Sequence, residues 1–270
     1  MTDEPGRASR PRVAWRDVDG ILLLDKPEGL SSNAALQLAR RLFRARKAGH
    51  TGSLDPLASG LLPLCFGQAT KVAGRLLDSD KRYQVTARLG VATTTGDAEG
   101  EVSGRGPVPE PDRARLETAL GRFRGAIDQV PPMHSALKQG GQRLYELARR
   151  GVEVERQPRT VTIHELVARD WRDDRLELAI RCSKGTYVRT LVEDVARELG
   201  TVAHVERLRR TAAGPFDGAR ARTLADLESL REAGGEAALD ATLLPPDEAL
   251  RHWPAVQVGL AERAWLLQGQ

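Results

Sequence analysis

The sequence predicts an α+β fold built on a mixed, mostly antiparallel central sheet flanked by helices. Strand-like segments follow one another in hairpin-like succession, with helical segments interspersed. In residues 81–89, Tyr83, Val85, Ala87 and Leu89 alternate with Arg82, Gln84, Thr86 and Arg88, the period of a half-buried strand with one polar face. Residues 161–171 and 175–182 read as an antiparallel pair around the turn Arg172-Asp173-Asp174. At 270 residues the chain holds one large domain, or one plus a small appendage, with a real core in either case.

Residues 1–12 are polar and arginine-bearing and lack an apolar stretch of signal-peptide length, so the first 17 residues are expected to form a disordered tail. The first ordered element is the apolar run Gly20-Ile21-Leu22-Leu23-Leu24-Asp25, a buried strand that ends at Lys26-Pro27. Ser31 and Ser32 offer helix N-caps, and Ala35, Leu38, Ala39, Leu42 and Phe43 recur with helical spacing to about residue 46. That helix delivers the chain into a glycine-dense loop, after which residues 61–66 read as a strand and 69–77 as a helix. Past the strand at 81–89 come a threonine- and glycine-rich loop at 91–100 and a helix at 112–123. Residues 125–158 are less regular, with Val130-Pro131-Pro132-Met133-His134, a glycine pair and a short basic helix near 143–150. An irregular basic insertion of that size suits a lid or an arm. The segment Ser183-Lys184-Gly185-Thr186-Tyr187-Val188-Arg189-Thr190 leads into a helix to about Leu199, followed by a strand at 204–210.

The formal net charge is only +4, but a pI of about 9.3 and the dominance of arginine make polyanions plausible partners. The charge concentrates in Arg40-Arg41-Leu42-Phe43-Arg44-Ala45-Arg46-Lys47 and in Arg207-Leu208-Arg209-Arg210, which suits phosphate contacts, although a solvated face explains any single run equally simply. Cys65 and Cys182 sit in apolar or strand-like settings, which excludes a disulfide framework or cysteine metal site and fits a reducing cytoplasm. The five histidines lack zinc-site spacing, so no metal is expected, and no segment approaches a membrane span. There is no Walker loop, dinucleotide fingerprint, nucleophile elbow or catalytic cysteine motif, so the chemistry falls to ordinary side chains.

The glycine-dense loop is Ala48-Gly49-His50-Thr51-Gly52-Ser53-Leu54-Asp55-Pro56-Leu57-Ala58-Ser59-Gly60, and it carries one carboxylate, Asp55. Its glycines allow close approach to a ligand and Pro56 keeps a helix from running through Asp55, yet an aspartate before proline also serves as a simple turn device. Tyrosines are scarce. Lys81-Arg82-Tyr83 sets a ring beside cations, which suits a nucleobase on a phosphate backbone or a plain strand tyrosine. On an extended segment Tyr187 and Arg189 share a face, so Arg189 can pair with a carboxylate such as Asp55 while Tyr187 lines the same pocket; a surface salt bridge at a helix start is the competing reading. A carboxylate acting at a sugar carbon is one reaction these groups suffice for.

Five segments in order, 20–27, 48–60, 81–83, 183–190 and 203–210, resemble the motifs of the TruB family of tRNA pseudouridine synthases. The resemblance runs from about residue 18 to about residue 250, a span expected to be the catalytic domain, and its most diagnostic element is the Gly-His-Thr-Gly-x-Leu-Asp-Pro loop. It implies that Asp55 is the catalytic aspartate and that Tyr83 and Leu208 sandwich an extruded uridine. It also implies that His50 fills the vacated place in the RNA, that Tyr187 lines the pocket and that Arg189 holds Asp55, with Lys26 and Lys184 as supporting neighbours. The implied substrate is the T-loop uridine that becomes pseudouridine 55 in tRNA.

That reaction breaks the bond from the sugar carbon to N1, joins C5 to the same carbon and releases the C5 proton, so no cofactor is expected. Addition of Asp55 to the base and action at the sugar carbon both need its ionised form. By the same resemblance, residues 125–155 are a thumb-like insertion that closes over the T stem-loop, with Lys138, Arg143, Arg149 and Arg150 as phosphate contacts. Residues 251–270 read as the start of a truncated PUA domain. The expected assembly is a cytoplasmic monomer that needs no protein partner; the rivals are a guide-RNA-dependent, dyskerin-like subunit and an RNA-binding module in which Asp55 is structural.

Overall fold

A computed structural model of the chain describes residues 14–268. Strand β1 (Gly20–Lys26), whose apolar run Ile21-Leu22-Leu23-Leu24 precedes Asp25 and Lys26, lies antiparallel to β3 (Ser59–Phe66), from Gly20 opposite Phe66 to Lys26 opposite Gly60. Between them run helix α1 (Ser32–Phe43) and β2 (Ala48–His50), which pairs with the far half of β3. The Ser31 side chain accepts the Ala34 N–H as N-cap, and the helix stops at Arg44, which is left-handed with φ 54°. Helix α2 (Ala73–Leu77) leads to β4 (Lys81–Leu89), then the β5 (Val91–Thr93) and β6 (Val102–Arg105) hairpin and α3 (Arg113–Gly121), capped by Asp112.

Next come β7 (Gly125–Gln129), a small hairpin of β8 (Lys138–Gln139) and β9 (Gln142–Arg143), and α4 (Leu144–Arg149). Gly140 and Gly141 make that hairpin turn with φ of 57° and 84°, angles that suit glycine. The long pair β10 (Arg159–Arg172) and β11 (Arg175–Cys182) turns at Asp173, and α5 (Val188–Glu198), β12 (Ala203–Ala213) and β13 (Phe216–Asp217) follow. Helices α6 (Leu224–Asp240), kinked at Gly235, and α7 (Leu260–Leu267) complete the described chain.

The central sheet runs β1-β3-β12-β4-β11-β10-β7. Every neighbouring pair is antiparallel except β12 with β3, which meet in parallel at Arg209 opposite Ser59 and Arg210 opposite Gly60. The predicted class, a mixed and mostly antiparallel sheet with flanking helices, is therefore the observed one. One sheet face carries the main core, where Val85, Ala87, Leu178, Ile180 and Leu208 meet Ala35, Ala39 and Phe43 of α1, Leu116 and Leu120 of α3, and Leu191 and Val195 of α5. A second cluster, including Ile21, Leu23, Leu61, Leu76 and Phe216, covers the other side of β1 and β3. Burying each such large side chain contributes about 1.5–3 kcal/mol.

Several elements differ from the sequence expectation. The 91–100 loop begins with a hairpin strand, and the first five residues of the 125–155 stretch are no arm: β7 is the sheet edge, pairing from Gly125 opposite Ile163 to Gln129 opposite Arg159. Helix α6 falls in a stretch whose two central glycines and weak apolar periodicity conceal it, and a Thr223/Asp226 capping box starts it. Of the expected tail, residues 1–13 lie outside the described residues, while Arg16 is tied down by backbone bonds to Arg44 and Arg46 and an ion pair with Asp240 at 2.8 Å. In the 251–270 stretch, α7 exposes Leu260, Trp265, Leu266 and Leu267. Among the described residues no helix is long and apolar enough to cross a membrane.

Candidate active site

The loop that carries Asp55 is fixed from three sides. The Ser32 hydroxyl, buried at the start of α1, accepts the Leu54 N–H at 2.7 Å and donates to the Leu54 carbonyl at 3.0 Å. Lys26, fully buried at the end of β1, donates to the carbonyls of Pro27, Leu30 and Pro56 at 2.8, 2.7 and 3.3 Å. Arg210 reaches the carbonyls of Gly52 and Ser53 at 3.2 and 3.4 Å from β12. Gly52 and Gly60 take φ of 123° and 99°, which is why the loop needs glycine there.

Asp55 Oδ2 accepts an ion pair from Arg189 Nε at 3.0 Å; the arginine side chain is 5% exposed and that of Asp55 41%. Arg189 sits in the first turn of α5 and uses its remaining donors on the Thr95 carbonyl (2.7 Å) and the His134 carbonyl (2.6 Å), with Asp97 Oδ2 3.6 Å from Nη1. One guanidinium thus gathers the Asp55 loop, the 93–97 loop and the base of the 130–155 insertion. Asp97 is itself buried, accepting from the Thr95 hydroxyl and the Glu99 N–H. The carboxylate of Asp55 is reachable yet ringed by protein atoms, and burial pushes its pKa up, with Arg189 pulling it back and Asp97 adding to the rise.

Tyr83 on β4 lies cross-strand from Arg210, and Leu208 cross-strand from Val85, so both share the sheet face that holds the core. Burial raises the Tyr83 phenol, with the nearby Arg210 charge opposing it. Tyr187 is the N-cap residue of α5, its phenol also raised by burial, and His50 ends β2 with Nδ1 buried and unpartnered. Burial, then the Arg210 charge, lowers His50, which favours the neutral ring. Burial likewise lowers Lys26 to about 8.

Lys184 is not brought to this centre: its ammonium pairs with Asp78 at 2.8 Å in an exposed position. A groove of about 740 Å³ is lined by Arg82, Arg181, Arg207 and Arg209 together with Tyr83 and Leu208. Within the basic run at 40–47, Arg40 and Arg44 are committed to structure, Arg40 on the carbonyls of Ala45 and Arg46, and Arg44 on Glu236. Sequence reasoning missed Asp97, Gln129, Ser32 and Arg210. The Thr-Thr-Gly-Asp string was the available signal for Asp97, while the other three act through backbone groups that spacing does not reveal. Among the described residues no group of three His, Cys, Asp or Glu side chains is placed to hold a metal ion.

Comparison with known proteins gives this geometry a family. Residues 40–188 match the model "TruB family pseudouridylate synthase (N terminal domain)", and residues 189–251 match "tRNA pseudouridylate synthase B C-terminal domain". The chain is 58% identical over 255 residues to the tRNA pseudouridine synthase B of Stutzerimonas stutzeri (strain A1501), covering 94% of this chain and 83% of the relative. It is 57% identical over 255 residues to the protein of the same name from Ectopseudomonas mendocina (strain ymp), with the same coverage of 94% and 83%. A chain in the crystal structure of a Cbf5-Nop10-Gar1 complex superposes with a TM-score of 0.74 at 28% identity, over 97% of this chain and 70% of that one.

A mixed, mostly antiparallel sheet flanked by helices is here the fold of a pseudouridine synthase. The chain belongs to the TruB family of pseudouridylate synthases, isomerases that convert uridine to pseudouridine.

Proposed function

We propose that this enzyme isomerises the uridine at position 55 in the T loop of tRNA, with Asp55 as its catalytic carboxylate and without a cofactor. The observation that carries the reading is the 3.0 Å pair of Asp55 with Arg189, set on the sheet face that also bears Tyr83 and Leu208. The tRNA substrate is supported by identity of 58% to a protein named tRNA pseudouridine synthase B. A base drawn from a loop loses a few kcal/mol of stacking, which Tyr83 and Leu208 replace on its two faces while His50 fills the gap left in the RNA. Asp55 then acts in its ionised form as C1′ exchanges N1 for C5, and Tyr187 closes the pocket near the carbon that loses its proton. Arg189 holds the carboxylate's orientation through the exchange and pulls its pKa down against burial.

Residues 18–250 are the catalytic domain in this reading, and the insertion from Val130 to about residue 155 closes over the T stem-loop. Lys138, exposed on β8, with Arg143 and Arg149, which lie 5.9 and 5.6 Å from the Tyr145 ring, are its phosphate contacts in this reading. The enzyme works as a cytoplasmic monomer on tRNA alone. Incubation with a bare T-stem-loop transcript in EDTA, without ATP or added protein, followed by pseudouridine mapping, tests this. Conversion at position 55 is expected; no conversion, or conversion that requires a second protein or guide RNA, would overturn it.

A further inference from the structure

Arg210 is the largest side chain that the fold buries completely, with 1% of its surface exposed. It ends the basic run Arg207-Leu208-Arg209-Arg210, but strand alternation turns it inward with Leu208, while Arg209 pairs with Asp25 at 2.6 Å. Its Nε donates to the Leu61 carbonyl at 2.7 Å, Nη1 to Ser53 at 3.4 Å and Nη2 to Gly52 at 3.2 Å. No carboxylate oxygen among the described residues comes within ion-pair distance, 4.0 Å, of this guanidinium. Carbonyls satisfy the donors without neutralising the charge, and an unpaired buried cation is expensive.

What surrounds that charge is the candidate site. Tyr83 on β4 is its cross-strand partner, and the carbonyls it holds lead directly to Asp55. His50 at the end of β2, Lys81 on β4 and Lys26 at the end of β1 also feel it: burial first, and the Arg210 charge in addition, lowers all three. A guanidinium has five N–H donors, so two remain beyond the three carbonyl bonds, and the Arg210 charge holds the Tyr83 phenol below the level that burial alone would set.

We propose that Arg210 is a positioning residue of the uridine-isomerising site, whose unneutralised charge fixes the Asp55 loop and, through Tyr83, favours negative charge on the reacting base. The proposal rests on the function proposed above. When the C1′–N1 bond breaks, its electron pair stays on the uracil ring, which becomes anionic; attack of C5 on C1′ makes the ring neutral, and loss of the C5 proton to solvent with gain of one from solvent at N1 completes pseudouridine. A fixed positive charge behind the stacked ring stabilises the anionic stage more than the neutral ones.

The test compares Arg210→Met, which removes the charge and keeps much of the stem, with Arg210→Lys, whose buried amine loses its proton far more readily than arginine does. Single-turnover conversion of saturating T-stem-loop RNA, RNA affinity and thermal midpoint are measured for both and for the wild type. Arg210→Met should convert about 100-fold more slowly with RNA affinity within about threefold of wild type. Arg210→Lys should recover about tenfold of that loss near pH 6.5 and forfeit it, relative to wild type, by about pH 9. Lys26 and Lys81 are common to all three proteins, so the ratio to wild type isolates position 210. Arg210→Met within about threefold of wild type, or an Arg210→Lys pH profile that superimposes on the wild-type profile, would overturn the proposal. Should Arg210→Met fail to fold, the Arg210→Lys profile alone decides. Wild-type conversion in the same assay leaves the proposed function standing whichever way position 210 reads.

Discussion

The side-chain amide of Gln129 closes on both backbone groups of Tyr187: Oε1 accepts the Tyr187 N–H at 3.0 Å and Nε2 donates to its carbonyl at 3.3 Å. Gln129 is the last residue of the edge strand β7, 2% exposed, at the point where the insertion leaves the sheet. The Tyr187 carbonyl also takes the Leu191 N–H of α5, so the N–H is the group that depends on Gln129 alone. Gln129→Leu should therefore cost about 1 kcal/mol of stability and slow single-turnover conversion about tenfold, with RNA affinity little changed. Denaturant titration and rapid-quench kinetics read the two separately, and a rate equal to wild type would show that Tyr187 needs no such clamp.

Arg189 is the charge that holds the Asp55 carboxyl down against burial and against Asp97. Removing it in Arg189→Met lets the Asp55 pKa rise further. If the ionised form is the active one, the acid limb of the pH–rate profile moves to higher pH, and the plateau drops because orientation is lost as well. A single-turnover profile measured from acid to neutral pH shows this; an acid limb in the same place would remove Asp55 as the titrating group.

Ser32 serves both backbone groups of Leu54, the residue before Asp55, from a site 4% exposed. Ser32→Ala strands a buried N–H and carbonyl together, at about 2 kcal/mol of stability, and loosens the loop. The midpoint of urea unfolding should fall accordingly, while an unchanged midpoint would mean that the loop finds other partners.

Gly60 permits the parallel contact of β3 with β12. A Cβ there would lie 2.3 Å from the Arg210 carbonyl oxygen and 2.9 Å from its nitrogen, at a φ of 99°. Gly60→Ala is expected to cost about 3 kcal/mol or more, whereas Gly49→Ala, with open space around its Cβ, should stay within about 0.5 kcal/mol. Equal thermal midpoints for the two variants would contradict the geometry.

The sheet was legible because alternation at 81–89 and the 172–174 turn fix faces and pairing locally. The order of its strands was not, since the parallel meeting of β12 with β3 depends on Gly60 and Arg210, residues far apart in sequence that no local period links. At the site, the Asp55 loop stands out in sequence because glycine and proline mark backbone geometry; the Arg189–Asp55 pair does form, but from the first turn of α5 and not from an extended segment on which Arg189 would share a face with Tyr187. Arg210 reads in sequence as surface charge because a run of arginines hides the strand parity that buries its last member. Lys184, adjacent in sequence to the site motif, is drawn instead to Asp78 across the surface.

The central claim is that the carboxylate of Asp55 performs the isomerisation. Asp55→Asn keeps the size and hydrogen-bonding reach of the side chain and removes only its charge. Conversion of T-loop uridine by this variant, measured in single turnover beside its affinity for the same RNA, should fall at least about a thousandfold while affinity stays within about threefold of wild type. Conversion by the folded variant within about tenfold of wild type would contradict the account.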